Sequence, residues 1–256
     1  MSGSSSTTEP SQRWRIDLEY DGRDFAGWQL QPGTATIQGA IEDALTHLLG
    51  QSVRVAGAGR TDAGVHAAKQ VASFVTTVER PPERMRGGLN RFLPSSIACL
   101  SAQPVPLTFD PRRDPHVKTY RYTWLVRPSR SPLREGRVWH ERRPLEVSTM
   151  HTAVQAIVGT HDFTSFRAVG CSAKHPIRTV PEACVEAVGD EVRLEVRGTG
   201  FLRHMVRILA GTLHEVGRGK RTLDEFVAVL EGKDRTQAGP TAPASGLLLA
   251  DITYDE

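Results

Sequence analysis

The sequence has few cysteines and lacks long apolar runs. Its three cysteines, Cys99, Cys171 and Cys184, are an odd number and include no Cys-x-x-Cys pair, which argues against a disulfide framework and against a cysteine-based zinc site. We expect reduced thiols, as in cytoplasmic proteins. No apolar stretch approaches the ~18 residues of a membrane-spanning helix, and no two histidines have the His-x-His or His-x-x-x-His spacing of a metal site. The sequence therefore predicts no metal centre and no membrane segment.

Apolar side chains are also missing at the amino terminus. Residues 1–12 are rich in Ser and Thr, so we predict a disordered tail there, without the hydrophobic segment of a secretory signal. The absence of a targeting segment favours a cytoplasmic location. The 256-residue length suffices for one large domain or two small ones, and a composition of 39% hydrophobic and 24% charged residues is ordinary for a globular protein.

A modest net charge conceals a basic segment. The chain carries +3 overall, but residues 112–143 hold ten Lys or Arg against three Asp or Glu, so this window is +7 and the remainder −4. Nine of the ten cations are Arg, whose planar forks match phosphate geometry and stack on bases. The segment is therefore either a nucleic-acid contact or a solvated loop with intramolecular ion pairs.

Periodicity predicts an α+β fold. Alternating apolar residues predict strands at 14–20, 53–57, 70–76, 117–126, 183–188, 192–197 and 247–254, and helical spacing predicts helices at 37–49, 149–158 and 201–216. A capping box at Thr222 and Glu225 predicts one more helix. Because strands and helices mix in both halves, we expect an amino-terminal α+β subdomain at 13–105. A carboxy-terminal one at 106–256 would contain the basic segment.

The densest signal is the glycine-framed segment from Gly57 to His66. A phosphate loop requires Lys-Ser/Thr where this chain has Val65-His66, and the dinucleotide fingerprint requires Gly at the position of Asp62. What remains is a sharp turn that presents the Asp62 carboxylate beside the Arg60 cation. Taken alone, Asp62 either serves a bound ligand or stabilises its own turn.

Eight segments decide between these alternatives by resemblance. They are YDGRDFAGWQLQ (20–31), GAGRTDAGVHA (57–67), GLNRFLP (88–94), KTYRYTW (118–124), GTHDFTSF (159–166), HPIRTV (175–180), GTGFLRHMVR (198–207) and APASGLLL (242–249). In sequence and order they resemble the motifs of the tRNA pseudouridine synthase A family over nearly the whole chain.

The resemblance implies an isomerase that converts uridine to pseudouridine on the 3′ side of the tRNA anticodon stem-loop, at tRNA positions 38, 39 and 40. It implies two α+β halves, related by a pseudo-two-fold axis, that share a long, mixed, mainly antiparallel sheet with a central catalytic cleft. It also implies a homodimer that works without metal or organic cofactor. A catalytically inactive tRNA-binding protein, or a family member acting on another RNA uridine, remains the alternative.

The resemblance also assigns site residues. Asp62 matches the catalytic carboxylate, which acts as a nucleophile or removes the 2′ proton. Arg60 and Arg207 are the cations expected to compensate its burial, and we predict an Asp62–Arg207 ion pair. Tyr120 matches a tyrosine that packs at the target base, and its hydroxyl is a candidate for proton transfer at C5.

Further residues are assigned to substrate binding. Leu247 is expected to form an apolar wall of the pocket, although it could equally belong to the core, and Arg112 and Arg121 are expected to contact RNA. The family's usual Phe-His-Ala-Arg is Phe109-Asp110-Pro111-Arg112 here, which introduces a carboxylate beside the expected RNA path. Among the histidines, His66 is expected to fix its turn by a hydrogen bond.

Overall fold

The computed structural model describes residues 11–254, so the predicted tail over residues 1–10 lies outside the described part of the chain. The strands are β1 (Gln12–Tyr20), β2 (Ala56–Gly57), β3 (His66–Thr76), β4 (Ile97–Val105), β5 (His116–Val126), β6 (Trp139–Glu141), β7 (Gly159–Asp162), β8 (Ile177–Val180), β9 (Glu182–Val188), β10 (Glu191–Gly198) and β11 (Leu247–Tyr254). The helices are α1 (Ile37–Leu49), α2 (Pro82–Phe92), α3 (Val147–Gln155), α4 (Met205–Gly217) and α5 (Leu223–Gly232). The α+β prediction is confirmed, but Gln12, assigned to the tail, already belongs to β1 and pairs with Thr76.

Both halves of the chain build one sheet. Its main path runs β4-β1-β3-β11-β5-β10-β9, with β2 added to β3 and β6 added to β5, while β7 and β8 form a separate pair. The β3–β11 and β5–β6 pairs are parallel and all the others in the sheet are antiparallel. The sheet is therefore mixed and mainly antiparallel, as predicted. Strands of the predicted subdomains 13–105 and 106–256 meet at the β3–β11 seam.

Local signals account for the elements that were predicted. The alternate residues Trp14, Ile16, Leu18 and Tyr20 of β1 are all buried, which is the period of a strand with one face in the core. Helix α1 begins where the Thr36 side chain accepts from an amide of the first turn, and it ends at Gly50, whose φ of 68° is left-handed. The β9–β10 hairpin turns at Gly189-Asp190, and Thr222 and Glu225 form the predicted capping box of α5.

Several elements differ from the predictions. Strands β4, β6, β7 and β8 were not predicted, and the helix predicted at 149–158 spans Val147–Gln155. Helix α2 was not predicted because it contains Gly87-Gly88 and buries only Met85 and Leu89, whereas glycine disfavours a helix interior. A Cβ on Gly88 would stand 2.5 Å from the end of the Leu48 side chain, so this face of α2 packs closely on Leu48. The predicted strand at 53–57 is reduced to its last two residues, and the predicted helix at 201–216 begins only at Met205.

The centre of the sheet brings two loops together. Strand β11 pairs with β3 only at Leu248–His66 and Leu249–Ala67, and β2 occupies the same edge of β3 further along, opposite Ala72. Because β3 and β11 are parallel neighbours, the loops that precede them leave the same end of the sheet. Residues 58–65 and residues 239–246 therefore lie together at the seam between the halves.

Three features were expected to be absent: a membrane-spanning helix, disulfide bonds and a metal site. Between residues 11 and 254, no helix is long and apolar enough to cross a membrane. All three cysteines are free thiols. Over the same range, no group of three or more His, Cys, Asp or Glu side chains is placed to hold a metal ion.

Candidate active site

The segment between β2 and β3 carries Asp62 along the edge of the sheet. The amide of Ala58 donates to Val71 O at 2.8 Å, which keeps the loop beside β3, and Val65 N donates to Asp62 O at 3.1 Å to close a tight turn. Gly64 has a φ of 76°, a conformation that glycine adopts without steric cost. The Asp62 side chain is 27% exposed, so its carboxylate is accessible at the seam.

Buried polar side chains of β1 and β3 form hydrogen bonds with this loop. The Tyr20 hydroxyl lies 2.9 Å from Thr61 Oγ1, and Gln70 Nε2 donates to Gly59 O at 3.0 Å. Burial raises the pKa of Tyr20 to about 12, so its hydroxyl keeps its proton at neutral pH. The residues on both sides of Arg60 are thus held in place by hydrogen bonds from buried side chains.

The same loop is also contacted by residues 20–31, the YDGRDFAGWQLQ segment. Trp28 N donates to Thr61 O at 3.0 Å. A Cβ on Gly27 would lie only 2.6 Å from that same oxygen, so glycine is required for this approach. Within the described residues the ring of His66 does not hydrogen-bond to its own turn, contrary to the prediction; instead Gly22 N donates to its Nδ1 and its Nε2 lies 2.9 Å from Gly136 O. It therefore ties the YDGRDFAGWQLQ segment to the carboxy-terminal half.

Arg207 of α4 reaches Asp62 as predicted. Its Nη1 lies 3.6 Å from Asp62 Oδ2. Its Nε donates to Ala242 O at 2.8 Å, and Ala242 N donates back to Arg207 O at 3.0 Å. The guanidinium is thus anchored to the loop before β11 while it faces the carboxylate. Because Asp62 is partly exposed, the pair is less desolvated than a fully buried ion pair, which the sequence argument had assumed.

Arg60 does not share this role. Its side chain is exposed and forms no ion pair with any residue between 11 and 254. The described structure therefore does not support Arg60 as a cation that compensates the Asp62 charge. The second group facing Asp62 was missed by the sequence argument: His204 Nε2 lies 3.6 Å from Asp62 Oδ2.

Strand β5 supplies the other wall of the site. Tyr120 is 8% exposed, its ring stacks edge-on against Phe201 at a centroid distance of 4.9 Å, and burial together with the nearby Tyr20 and Asp62 raises its pKa. Its hydroxyl makes no hydrogen bond to the described part of the chain. Two residues back on the same face, Lys118 Nζ donates to Ala58 O at 2.9 Å. Burial, reinforced by the charge of Arg112, lowers the pKa of Lys118 to about 8.

The remaining predicted substrate residues lie in different parts of the structure. Leu247 is 5% exposed and pairs with Tyr122 at the start of β11, beside the seam. Arg112 is exposed at the end of the loop before β5. Arg121 lies on the face of β5 opposite Tyr120 and pairs with Glu195 at 2.9 Å, so the structure does not bring it to Asp62. Its contact with RNA stays a prediction, which would have to involve that far face of the sheet.

The departure at Asp110-Pro111 has a local explanation. Asp110 Oδ1 accepts hydrogen bonds from the backbone amides of Arg112 and Arg113, at 2.9 and 3.2 Å. Pro111 is buried, and its carbonyl accepts from the Tyr254 hydroxyl. The carboxylate therefore organises a turn, and its presence does not set a free negative charge against RNA.

The basic segment forms the predicted intramolecular ion pairs in part, and its contact with nucleic acid stays a prediction. Half of its ten cations form ion pairs within residues 11–254, and these are Arg113 with Asp110, Arg121 with Glu195, Arg127 and Arg134 with Asp190, and Arg137 with Asp21. The other five have no acidic partner in that range and are Arg112, Lys118, Arg130, Arg142 and Arg143. The surplus positive charge of the segment is therefore available to an anionic polymer.

Comparison with known proteins identifies the family. The tRNA pseudouridine synthase family model matches residues 18–112 and 153–255, which include the Asp62 loop and Arg207. The chain belongs to the tRNA pseudouridine synthase family. This makes it an RNA pseudouridine synthase, an isomerase.

Relatives of this synthase match along their whole length. It is 46% identical over 240 residues to tRNA pseudouridine synthase A of Pelobacter propionicus, covering 94% of this chain and 98% of that one. Identity to the protein of the same name from Myxococcus xanthus is 46% over 243 residues, with 94% and 92% covered. For Citrifermentans bemidjiense it is 44% over 243 residues, with 94% and 97% covered.

Proposed function

We propose that the protein isomerises uridine to pseudouridine in the anticodon stem-loop of tRNA, with Asp62 as the carboxylate at the reacting ribose. The observation that carries the proposal is the arrangement at the seam: a partly exposed carboxylate faces Arg207 across 3.6 Å. The Tyr120 hydroxyl, which makes no hydrogen bond to the described part of the chain, lies close enough for the Asp62 charge to act on it. The family match and the relatives named for tRNA pseudouridine synthase A support tRNA as the substrate.

The chemistry requires what this site offers. The N1–C1′ bond of uridine breaks, the uracil turns, and a C5–C1′ bond forms, while one proton leaves C5 and one is gained at N1. No electron or atom is exchanged with a co-reactant, so a carboxylate and proton-transfer groups suffice. Asp62 acts either as a nucleophile toward the nucleoside or as the base that removes the 2′ proton. Tyr120, neutral because its pKa is raised, is a candidate for proton transfer at C5.

A nucleotide in a stem or loop reaches Asp62 only after it leaves its stack. Extrusion of one base costs a few kcal/mol, and stacking on an aromatic ring returns ~1–3 kcal/mol per base. Tyr120 is an aromatic side chain near Asp62, and Leu247 pairs with Tyr122, two residues further along the same strand. We assign the extruded uracil to this aromatic and apolar wall.

The unpaired cations of the basic segment are our candidates for the RNA backbone. Arg112 is exposed and its charge acts on Lys118 inside the cleft, which supports a path for the RNA from the cleft toward Arg112. Arg130, Arg142 and Arg143 extend the same charge along the chain. We further propose, from the resemblance, a homodimer that acts in the cytoplasm.

The test compares the protein with its Asp62→Asn variant on unmodified tRNA transcripts. Sites of pseudouridine are mapped at single-nucleotide resolution, and tRNA affinity is measured in parallel. We expect the unaltered protein to modify uridines at positions 38, 39 and 40. The variant should bind with similar affinity and form no product, because Asn neither ionises nor attacks.

The outcomes separate the alternatives. Binding without product by the unaltered protein would favour an inactive tRNA-binding protein, and product only at other uridines or in other RNAs would favour a different substrate. Normal turnover by Asp62→Asn would overturn the role of Asp62. Sedimentation of the protein at micromolar concentration tests the homodimer.

A further inference from the structure

The residue that begins helix α4 has an unusual backbone. His204 has φ and ψ of 60° and 6°, in the left-handed region. Within residues 11–254 the only other residue besides glycine with a positive φ is Lys233, at 52°. L-residues adopt this conformation at a cost in free energy, and such residues cluster at functional sites.

Helix formation does not explain this conformation. The His204 side chain caps no amide of α4, and it makes no hydrogen bond to the part of the chain between residues 11 and 254. It is 25% exposed, so packing does not explain it either. Among the described residues its one ion-pair partner is Asp62, with Nε2 at 3.6 Å from Oδ2.

The contacts of Asp62 are therefore asymmetric. Arg207 Nη1 and His204 Nε2 both face Oδ2 at 3.6 Å. In the described chain no hydrogen bond is donated to Oδ1. A carboxylate approached by both basic side chains through one oxygen leaves the other, with its lone pairs, for the substrate.

We propose that His204 is a positioning residue for the isomerisation: its imidazole, with Arg207, holds Oδ2 of Asp62 so that Oδ1 is the oxygen directed at the ribose. This inference rests on the proposed role of Asp62. The separation of 3.6 Å is longer than a hydrogen bond, and such contacts shorten when substrate closes the site.

The charges around His204 favour its neutral form. Burial lowers the pKa of the imidazole, Asp62 opposes this shift, and Arg207, Arg203 and Arg235 add to it. A neutral imidazole donates one N–H to Oδ2 without a full positive charge, and it leaves Asp62 more reactive than a second cation would. Protonation at acidic pH would therefore lower the rate, with a midpoint below the ordinary value of 6.5.

The experiment uses three variants of the full chain. His204→Gly removes the imidazole and relieves the left-handed backbone, so the variant should be at least as stable as the unaltered protein. His204→Gln places an amide N–H where Nε2 stands but does not titrate. Lys233→Gly is the matched control, because it relieves the second left-handed residue away from Asp62.

We expect kcat of His204→Gly to fall about 10- to 100-fold, the effect of losing one hydrogen bond to a charged group, while KM for tRNA stays within about twofold. His204→Gln should recover most of kcat and lose the acidic limb of the pH profile. Lys233→Gly should match the unaltered enzyme in kcat and pH profile.

Two results would overturn the proposal. One is an unchanged kcat in His204→Gly. The other is a rise in KM at constant kcat, which indicates a substrate contact instead. If the unaltered protein itself forms no pseudouridine, the proposed function fails first, and that outcome is distinguishable from failure at His204.

Discussion

Arg207 connects Asp62 to the loop before β11, and replacing it separates charge from geometry. Its guanidinium uses two different nitrogens, Nε for Ala242 O at 2.8 Å and Nη1 for Asp62 Oδ2 at 3.6 Å. In Arg207→Lys a single ammonium keeps the positive charge but cannot serve two acceptors from one anchored plane. In Arg207→Met both contacts are lost while the apolar stem is retained.

The expected loss of stability follows from the distance between the two charges and the exposure of the two side chains. At 3.6 Å two unit charges attract by about 5 kcal/mol at an effective dielectric constant near 20. Desolvation offsets most of this, and because the two side chains are 15% and 27% exposed, the net contribution is about 1 kcal/mol. The Ala242 hydrogen bond adds about 1 kcal/mol. We therefore expect Arg207→Met to lose about 2 kcal/mol of unfolding free energy.

The expected loss of activity is larger than the loss of stability. A misplaced or uncompensated carboxylate affects the transition state directly, and removal of one preorganised electrostatic partner costs about 10²-fold in kcat. We expect this loss in Arg207→Met and about a tenfold loss in Arg207→Lys. Release of tritium from tRNA that carries 5-tritiated uridine measures turnover, and urea unfolding measures stability.

The decisive result is how turnover compares among the unaltered enzyme, Arg207→Lys and Arg207→Met. Turnover must be measured where urea unfolding shows each variant to be folded, so that lost activity is not lost protein. Turnover of Arg207→Met within twofold of the unaltered enzyme would refute the argument that Arg207 sets the reactivity of Asp62. Equal losses in the Lys and Met variants would show that charge alone contributes nothing.

Two further predictions concern the support of the Asp62 loop. Tyr20→Phe removes the partner of the buried Thr61 hydroxyl, so we expect a loss of about 1–3 kcal/mol in urea unfolding, together with a lower kcat; unchanged stability would contradict the network. For Lys118, the folded-state pKa of about 8 lies below the ordinary 10.5, so the unfolded chain binds more protons between these values and the stability of the unaltered protein rises with pH there. Lys118→Met should abolish that rise, as unfolding curves at several pH values will show.

Much of the fold follows from local signals in the sequence. The alternation of β1, the capped ends of α1 and the Gly189-Asp190 turn each act over a few residues, so the pattern alone specifies them. Helix α2 shows the limit, because Gly87 and Gly88 weaken its intrinsic preference. The helix forms in a tertiary setting that no local pattern contains, in which Gly88 packs closely on Leu48.

The candidate site likewise contains residues that could be predicted from the sequence and residues that could not. The loop around Asp62 and the approach of Arg207 could be predicted because motifs of a recognisable family contain them. His204 could not be singled out, since its role depends on a left-handed backbone that the letters HMVR do not reveal. Arg121 was assigned to RNA from the charge of its segment, and only the pairing of β5 with β10 shows that Glu195 neutralises it.

The position of β11 has a consequence for folding. This strand follows all the other described strands in the chain, yet it lies between β3 and β5 and joins the two halves of the sheet. Until β11 docks, one side of β5 has no neighbour there, and unpaired strand edges are prone to associate with other chains. The loop that anchors Arg207 is positioned by the same docking step. Slow insertion of this one strand would therefore delay the catalytic geometry and prolong exposure to aggregation together.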